Sequence, residues 1–176
     1  AAIRAAFEAL SDPNDWTHDG AAEGWNVIDR TFTKAEARFI RAQGFVGAND
    51  EAAARTEIDE AIRLKPDWSA AVVFKAQLQS REPLSVIPTL TEFVKRNPGA
   101  RDVRLALARL QVEAKQYKES RESFRILLES DPENPDLMYA VALLSFQLGD
   151  GATTEKPLKK LLNSDFKDKD AIRFYL

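Results

Sequence analysis

Residues 101–134 read RDVRLALARLQVEAKQYKESRESFRILLESDPEN, and the spacing of apolar residues in this stretch decides the fold. Small or apolar residues fall on one face of a first helix: Leu105, Ala108 and Val112. The polar residues Lys115-Gln116-Tyr117 then predict a turn. A second amphipathic helix follows, with residues at i, i+4, i+7 and i+8: Ser120, Phe124, Leu127 and Leu128. Asp131-Pro132 ends this helix, because a residue before proline avoids the α region. The stretch predicts a helical hairpin.

The same arrangement recurs along the chain at nearly constant spacing. An alanine returns at gaps of 33, 34, 32 and 34 residues: Ala9, Ala42, Ala76, Ala108 and Ala142. A proline follows three of these alanines after 24, 22 or 24 residues: Pro66, Pro98 and Pro132. A period of this length predicts stacked hairpins. We delimit a single repeat array over residues 1–176, with copies at 2–34 (degenerate), 35–68, 69–100, 101–134 and 135–168, and the start of another at 169–176.

Local features refine this prediction. The alanine is expected where the two helices of a hairpin cross, because a methyl group allows the backbones to approach closely. Pro83 suits the first position of a helix. Pro88 and Pro157 fall early in second helices, where we expect a late start or a local bend. Trp68 is expected to pack where one hairpin meets the next.

Composition limits the classes of function. The chain has 176 residues and a net charge of −3, with both signs interspersed, which argues against the basic face that nucleic acid requires. No run approaches the roughly 18 apolar residues of a membrane span. The absence of cysteine excludes disulfides and thiolate chemistry. The start without Met and the apolar end at Phe174-Tyr175-Leu176 lead us to expect an interior piece of a longer protein.

Residues that carry chemistry are sparse. His18 is the only histidine, and we expect it in a solvated loop or at a helix cap. No nucleotide-binding or nucleophile-elbow motif occurs. The acidic run 131–136 lacks the glycine and the distal glutamate of a calcium loop, and its prolines fit a turn between repeats. We therefore expect no enzyme, no cofactor, no metal and no catalytic residue.

The repeat pattern resembles the tetratricopeptide repeat, whose signature is W-x2-L-G-x2-Y, then A-x3-F, then P. The copy at 101–134 reads Arg104-x2-Leu107-Ala108-x2-Gln111, then Ser120-x3-Phe124, then Pro132. Alanine always replaces the glycine. The tryptophan position is also replaced, by Arg38, Val72, Arg104 and Met138. The resemblance implies an all-α fold, a right-handed superhelical solenoid of antiparallel hairpins.

In this family, the first helix of each hairpin lines a concave groove that binds a peptide. Mapped by resemblance, the groove comprises Phe39, Gln43, Val73, Gln77, Leu105, Arg109, Glu113, Tyr139, Leu143 and Phe146. The same mapping includes Val46, Ser80, Asp102, Val112, Asp136 and Gln147. Each apolar member has core packing between hairpins as its alternative role.

The chemistry of the mapped surface indicates the ligand. No lysine stands at the groove positions that clamp a peptide carboxylate in the chaperone-adaptor branch of the family, where this chain has Phe39, Val73, Leu105 and Tyr139. Arg109 could still hold one acidic group. We expect an extended or helical apolar segment, with glutamine and arginine side chains fixing its direction.

Three functions follow from these observations. The first is a non-enzymatic adaptor that binds a protein or peptide. The chain also has a weaker resemblance to bacterial envelope repeat proteins, some of them lipoproteins. That resemblance implies the periplasm or the outer-membrane periphery, with the cytoplasm as the alternative. The second is a helper or substrate-recruiting domain of a larger enzyme or protease complex. The third is self-association through the terminal helices, which the apolar end at 174–176 suggests. We expect no nucleic acid partner and no membrane contact by this segment.

Overall fold

The computed structural model describes residues 32–164, 166–167 and 169–174. Nearly all of the degenerate copy at 2–34, with Ala9 and His18, lies outside the described residues, as do Tyr175 and Leu176. The described helices are α1 (Lys34–Gly47), α2 (Glu51–Leu64), α3 (Ser69–Leu78), α4 (Pro83–Arg96), α5 (Arg101–Glu113), α6 (Tyr117–Ser130), α7 (Pro135–Gln147), α8 (Glu155–Leu162) and α9 (Lys169–Phe174), with a 3-10 turn at Gly151–Thr153. These ranges contain no strand.

The chain divides into two compact units, Ala1–Leu78 and Gln79–Leu176. The described part of the first unit holds α1 to α3, and the second unit holds α4 to α9. The boundary falls inside the predicted repeat 69–100, between its two helices. The extent of a single solenoid over 1–176 stays a prediction.

In the first unit, α1 and α2 form a hairpin around the turn 48–50. Ala42 of α1 is fully buried against Ile58 and Ala61 of α2. Ala71 of α3 completes this core cluster, so the next hairpin begins by packing on the first. Trp68, just before α3, packs against this cluster, with its ring centroid 4.8 Å from that of Phe39. Its predicted place between hairpins is confirmed.

The second unit repeats this packing. In the α5–α6 hairpin, Ala108 is fully buried in a cluster that extends to the following helix α7: Phe124, Leu127, Leu137 and Leu144. A second cluster joins α7 to α8 and α9: Met138, Ala142, Leu158, Leu161 and Ile172. In the second unit, these two clusters therefore join successive helices from α5 to α9, as stacked hairpins require.

The predicted contact position is confirmed for Ala42, Ala108 and Ala142, each of which lies in a core cluster formed with the following helix. Ala42, Ala108 and Ala142 have no exposed surface, and Ala76 is 3% exposed. At Ala108, the carbonyl oxygen also accepts a hydrogen bond from the Ser120 hydroxyl of α6 at 2.8 Å. This contact requires the two backbones to lie close, and a larger side chain at 108 would separate them.

The substitutions at the signature tryptophan position have separate structural reasons. Val72 and Met138 are buried, so they keep the apolar character of the position. Arg38 instead reaches across the first hairpin, and its Nη1 donates to both carboxylate oxygens of Glu57 at 2.9 and 3.0 Å. Arg104 donates through Nη2 to the Pro98 carbonyl at 3.4 Å. An ion pair or a backbone contact thus replaces ring packing.

The turns inside three hairpins each contain a residue with a positive φ angle. Asn49, Lys115 and Gly149 have φ values of 59°, 59° and 76°, and they stand at the same register of the repeat. This left-handed conformation lets the chain reverse between two helices, and glycine adopts it without strain. A lysine there is strained in a way that its glycine counterpart is not.

The prolines behave differently from one another. Pro83 is the first residue of α4, as predicted. Pro157 is the third residue of α8, which begins only after the 3-10 turn, so the expected late start is confirmed there. The late start does not occur at Pro88, because α4 already begins at Pro83 and continues past Pro88. Pro88 removes the bond to the Leu84 carbonyl, and the 67% exposure of Leu84 leaves that turn of α4 beside water.

Candidate functional site

A cleft of about 410 Å³ opens in the second unit between α5 and α7, the first helices of two successive hairpins. We call it the α5–α7 cleft. It is lined by Arg101, Asp102, Leu105 and Arg109 of α5, by Phe124 and Leu127 of α6, by the cap residue Asn134, and by Asp136, Leu137 and Ala140 of α7.

The floor of the α5–α7 cleft is apolar and belongs to the core. Phe124, Leu127 and Leu137 are each at most 8% exposed, and they share the cluster that contains Ala108. Leu105 and Ala140 are half-buried and pack against the same cluster. Because these side chains are fixed by the hairpin core, the apolar floor exists before any ligand arrives.

Helix geometry and a cap place the lining residues. Arg101, Leu105 and Arg109 follow one another at intervals of four, so they lie on one face of α5. At the start of α7, the Asn134 side chain accepts hydrogen bonds from the backbone of Asp136 at 3.1 Å and of Leu137 at 3.2 Å. This cap fixes where α7 begins and therefore where Leu137 stands.

The rim of the α5–α7 cleft carries two arginines and two aspartates. Arg101 is engaged at the end of α6, by a hydrogen bond to Ser130 and an ion pair with Asp131 at 3.7 Å. Asp102 accepts from the Val103 backbone at 2.9 Å. Arg109 is exposed and makes no hydrogen bond or ion pair with any residue in the described part of the chain. Arg109 is therefore the cation of this rim that is free to meet a ligand.

The structure brings four of the mapped groove residues together in this cleft: Asp102, Leu105, Arg109 and Asp136. On the same two helices, Glu113 and Phe146 are exposed near the helix ends, and Leu143 is half-buried. Tyr139 packs its ring on Phe166, with centroids 5.1 Å apart, next to the second core cluster.

Further predicted residues lie in the first unit. Gln43 and Val73 are half-buried, and Gln77 is exposed on α3. Phe39 packs against Trp68 and Phe74, with ring centroids 4.8 and 5.4 Å apart, so its ring contributes to the core between hairpins. The role of these four residues in binding stays a prediction.

Sequence reasoning missed part of the cleft as a site. Phe124 and Leu127 were expected only as core residues of the second helix, yet their edges form the floor between α5 and α7. Asn134 belongs to the acidic run 131–136, where its amide donates to Asp131 at 2.8 Å and its oxygen caps α7. The repeat pattern could have indicated these residues, because the second helix of a hairpin packs against the first helix of its own hairpin and that of the next one.

Three described glutamates have shifted pKa values. The pKa values of Glu36, Glu60 and Glu155 are lowered, each chiefly by a hydrogen bond from a nearby side chain: Thr33, Arg63 and Lys159. These are local helix contacts outside the α5–α7 cleft. No group of three His, Cys, Asp or Glu residues in the described part of the chain is placed to hold a metal ion. None of its helices is long and apolar enough to cross a bilayer.

Stacked hairpins with a cleft between successive first helices define a helical repeat protein. Residues 77–144 match the family model of the tetratricopeptide repeat, which confirms the predicted resemblance. The matched segment contains every residue that lines the α5–α7 cleft. No curated protein matches the sequence.

Solved structures with the same fold include MamA and YrrB. MamA AMB-1 superposes with a TM-score of 0.68 at 13% identity, covering 98% of this chain and 96% of that one. MamA from Desulfovibrio magneticus RS-1 gives 0.64 at 14% identity, covering 92% and 93%. YrrB, described as a TPR protein with an unusual peptide-binding site, gives 0.65 at 14% identity, covering 88% and 81%. At such identities the similarity establishes the fold alone, and the predicted all-α, tetratricopeptide-like fold is confirmed.

Proposed function

We propose that the chain is a non-enzymatic scaffold that binds a peptide or protein segment, and that the α5–α7 cleft is part of the binding surface. A large apolar side chain of the partner would occupy the floor formed by Phe124, Leu127 and Leu137. Arg109 would hold a carboxylate or a backbone carbonyl of the same segment and so fix its direction.

The observation that carries this proposal is the meeting of Leu105 and Arg109 in one cleft. Both were assigned to a peptide groove by resemblance to the tetratricopeptide repeat, and both line the opening between two first helices. Proteins of the tetratricopeptide repeat family serve generally as non-enzymatic interaction scaffolds, and YrrB, described as having a peptide-binding site, shares the fold.

Magnitudes indicate what kind of segment could bind. Full burial of one leucine or phenylalanine side chain contributes about 1.5–3 kcal/mol. A hydrogen bond to a charged group contributes about 1.5–3 kcal/mol when it is shielded from water. Association itself costs about 4–15 kcal/mol in lost freedom, so a single contact is insufficient. The ligand must therefore extend along α5 and α7, where Glu113, Leu143 and Phe146 offer further contacts.

The test compares the chain with an Arg109→Glu variant in a selection of short random peptides on the immobilised protein. The matched control is Lys118→Glu, which makes the same change of charge at an exposed site on α6 outside the cleft. We expect the selected peptides to bind the control as they bind the parent chain, and to bind Arg109→Glu at least about tenfold more weakly. Equal affinity for all three proteins, with equal melting temperatures, would remove the α5–α7 cleft from the binding surface.

A further inference from the structure

A second cleft in the same unit shares no lining residue with the α5–α7 cleft. It has a volume of about 470 Å³ and lies between α6 and α8, with residues of α7 also in its lining. We call it the α6–α8 cleft. It is lined by Arg125, Leu128 and Glu129 of α6, Pro132 of the following turn, Met138 and Val141 of α7, and Lys156, Pro157 and Lys160 of α8.

The interior of the α6–α8 cleft is apolar. Met138 is buried, and Leu128, Val141 and Pro157 are half-buried. Leu128 packs against both core clusters of the unit, so the floor is continuous with the core. Pro132 and Pro157 add ring surface without a backbone N–H that would need a partner. The cleft therefore offers a fixed apolar seat for a large side chain.

The rim of the α6–α8 cleft is cationic, although the whole chain carries a net charge of −3. Arg125, Lys156 and Lys160 stand there against a single carboxylate, Glu129. Lys156 makes no hydrogen bond or ion pair with any residue in the ranges that the structure describes. Lys156 is therefore the cation of this rim that is free to meet a carboxylate of a ligand.

The other two cations are held only by exposed partners. Arg125 pairs with Glu122 at 3.1 Å, and Lys160 pairs with Glu133 at 2.8 Å. All four side chains are more than half exposed, and ion pairs of this kind contribute about 0–1 kcal/mol. A carboxylate of a partner could replace either glutamate at little cost.

We propose that the α6–α8 cleft is a second docking site, which takes an acidic peptide segment with a large apolar side chain at its centre. The apolar side chain seats on Met138 and Val141, and carboxylates on either side of it meet Lys156 and Lys160. Charge complementarity selects such a segment and accelerates its encounter with the cleft, while apolar burial holds it.

The chemistry of this cleft favours a peptide over nucleic acid. Single strands bind to grooves that combine many cations with aromatic rings for base stacking. The lining of the α6–α8 cleft contains no aromatic residue on which a base could stack. Aliphatic side chains and proline rings instead match an aliphatic or aromatic side chain of a protein partner.

The experiment uses an Arg109→Glu chain, so that the α5–α7 cleft does not contribute, as the target for selection of short random peptides. We expect enriched peptides with a large apolar residue flanked by Asp or Glu. Adding Lys156→Glu and Lys160→Glu should weaken their binding about tenfold, since two exposed ion pairs become repulsive. Adding Lys118→Glu and Lys159→Glu, which lie outside the cleft, should leave the affinity within about twofold.

Two results would overturn the second site. One is enrichment of peptides without acidic residues, or of none at all. The other is an equal loss of affinity in both double charge reversals, which would mean that only the net charge of the chain matters. A preference for oligonucleotides over the acidic peptides, measured on the same variants, would replace the peptide by a nucleic acid. Unchanged melting temperatures show that each variant is folded.

Discussion

The Ser120 hydroxyl donates a hydrogen bond to the Ala108 carbonyl at 2.8 Å, and both residues are completely buried. The bond joins the second helix of a hairpin to the first at the position where the repeat always carries alanine. One helical turn further along α5, Ser123 of α6 donates to the Gln111 side-chain oxygen at 2.9 Å. The α5–α6 hairpin is thus held by close backbone approach and by buried polar contacts as well as by apolar packing.

Replacing Ala108 by leucine is expected to destabilise the second unit by about 1–3 kcal/mol, because the added side chain must separate two helices in contact. The Ser120 bond would lengthen or break as the helices move apart. Thermal and urea unfolding measure the effect. Ala52→Leu, at an exposed site on α2, is the control and should change the stability by less than about 0.5 kcal/mol. Equal stability of the two variants would contradict the packing described for Ala108.

Removing the Ser123 hydroxyl alone should lower the free energy of unfolding more than removing both this hydroxyl and the Gln111 amide. Ser123→Ala leaves the Gln111 oxygen without its partner in the core, which we expect to cost about 1–3 kcal/mol. The double variant Ser123→Ala, Gln111→Met replaces both polar groups by apolar ones and should recover most of that loss. Urea unfolding of the two single variants and the double variant measures the coupling. Additive losses would show that the two side chains do not depend on each other.

The left-handed turn residue Lys115 offers a change that should stabilise the chain. Glycine at this position removes strain, and its greater entropy in the unfolded chain offsets part of the gain, so we expect Lys115→Gly to stabilise by up to about 1 kcal/mol. Glu122→Gly, inside α6, should instead destabilise by about 1 kcal/mol. Changes of opposite sign in the melting temperatures of the two variants would support the left-handed turn conformation at Lys115. A loss of stability in both variants would contradict it.

The N-cap of α1 predicts a pH dependence. The Thr33 hydroxyl and backbone N–H donate to the Glu36 carboxylate at 2.8 and 3.0 Å, and these bonds lower the pKa of that carboxyl. A carboxyl whose pKa is lower in the folded state stabilises the fold above its unfolded pKa, and this contribution disappears as the pH falls through its folded pKa. The stabilisation is therefore present at neutral pH and lost in acid.

Substitution of Thr33 tests this linkage. Thr33→Ala should raise the pKa of Glu36 towards its usual value, as followed by the side-chain carboxyl resonance in a pH titration. It should also destabilise the chain more at neutral pH than in acid, whereas Thr33→Ser should preserve both properties. A destabilisation by Thr33→Ala that does not change with pH would mean that the cap does not act through the Glu36 carboxylate.

Much of the fold follows from the sequence because each hairpin solves the same local packing problem. The alanines at 42, 108 and 142 are buried at contacts with the following helix, as their spacing predicted. What the repeat pattern could not predict is local to one copy. The late start of α8 at Pro157 was expected, whereas α4 begins before Pro88 and continues past it, because the turn that contains Pro88 faces water.

The site was predictable only in part. The resemblance to the tetratricopeptide repeat assigned Leu105 and Arg109 to a groove, and both line the α5–α7 cleft. The repeat register does not distinguish a side chain that packs in the core from one that is free to bind a ligand. Phe39 is an example, because Trp68 and Phe74 pack against its ring. The floor residues Phe124 and Leu127 come from α6, and their edges reach the cleft only after three helices have packed together.

The most direct measurement of the central claim is an amide chemical-shift titration of the chain with a peptide selected on it. We expect the largest changes at Leu105, Arg109, Leu137 and Ala140, and their loss in Arg109→Glu but not in Lys118→Glu. Changes confined to helices outside the α5–α7 cleft, and unaffected by Arg109→Glu, would contradict the account.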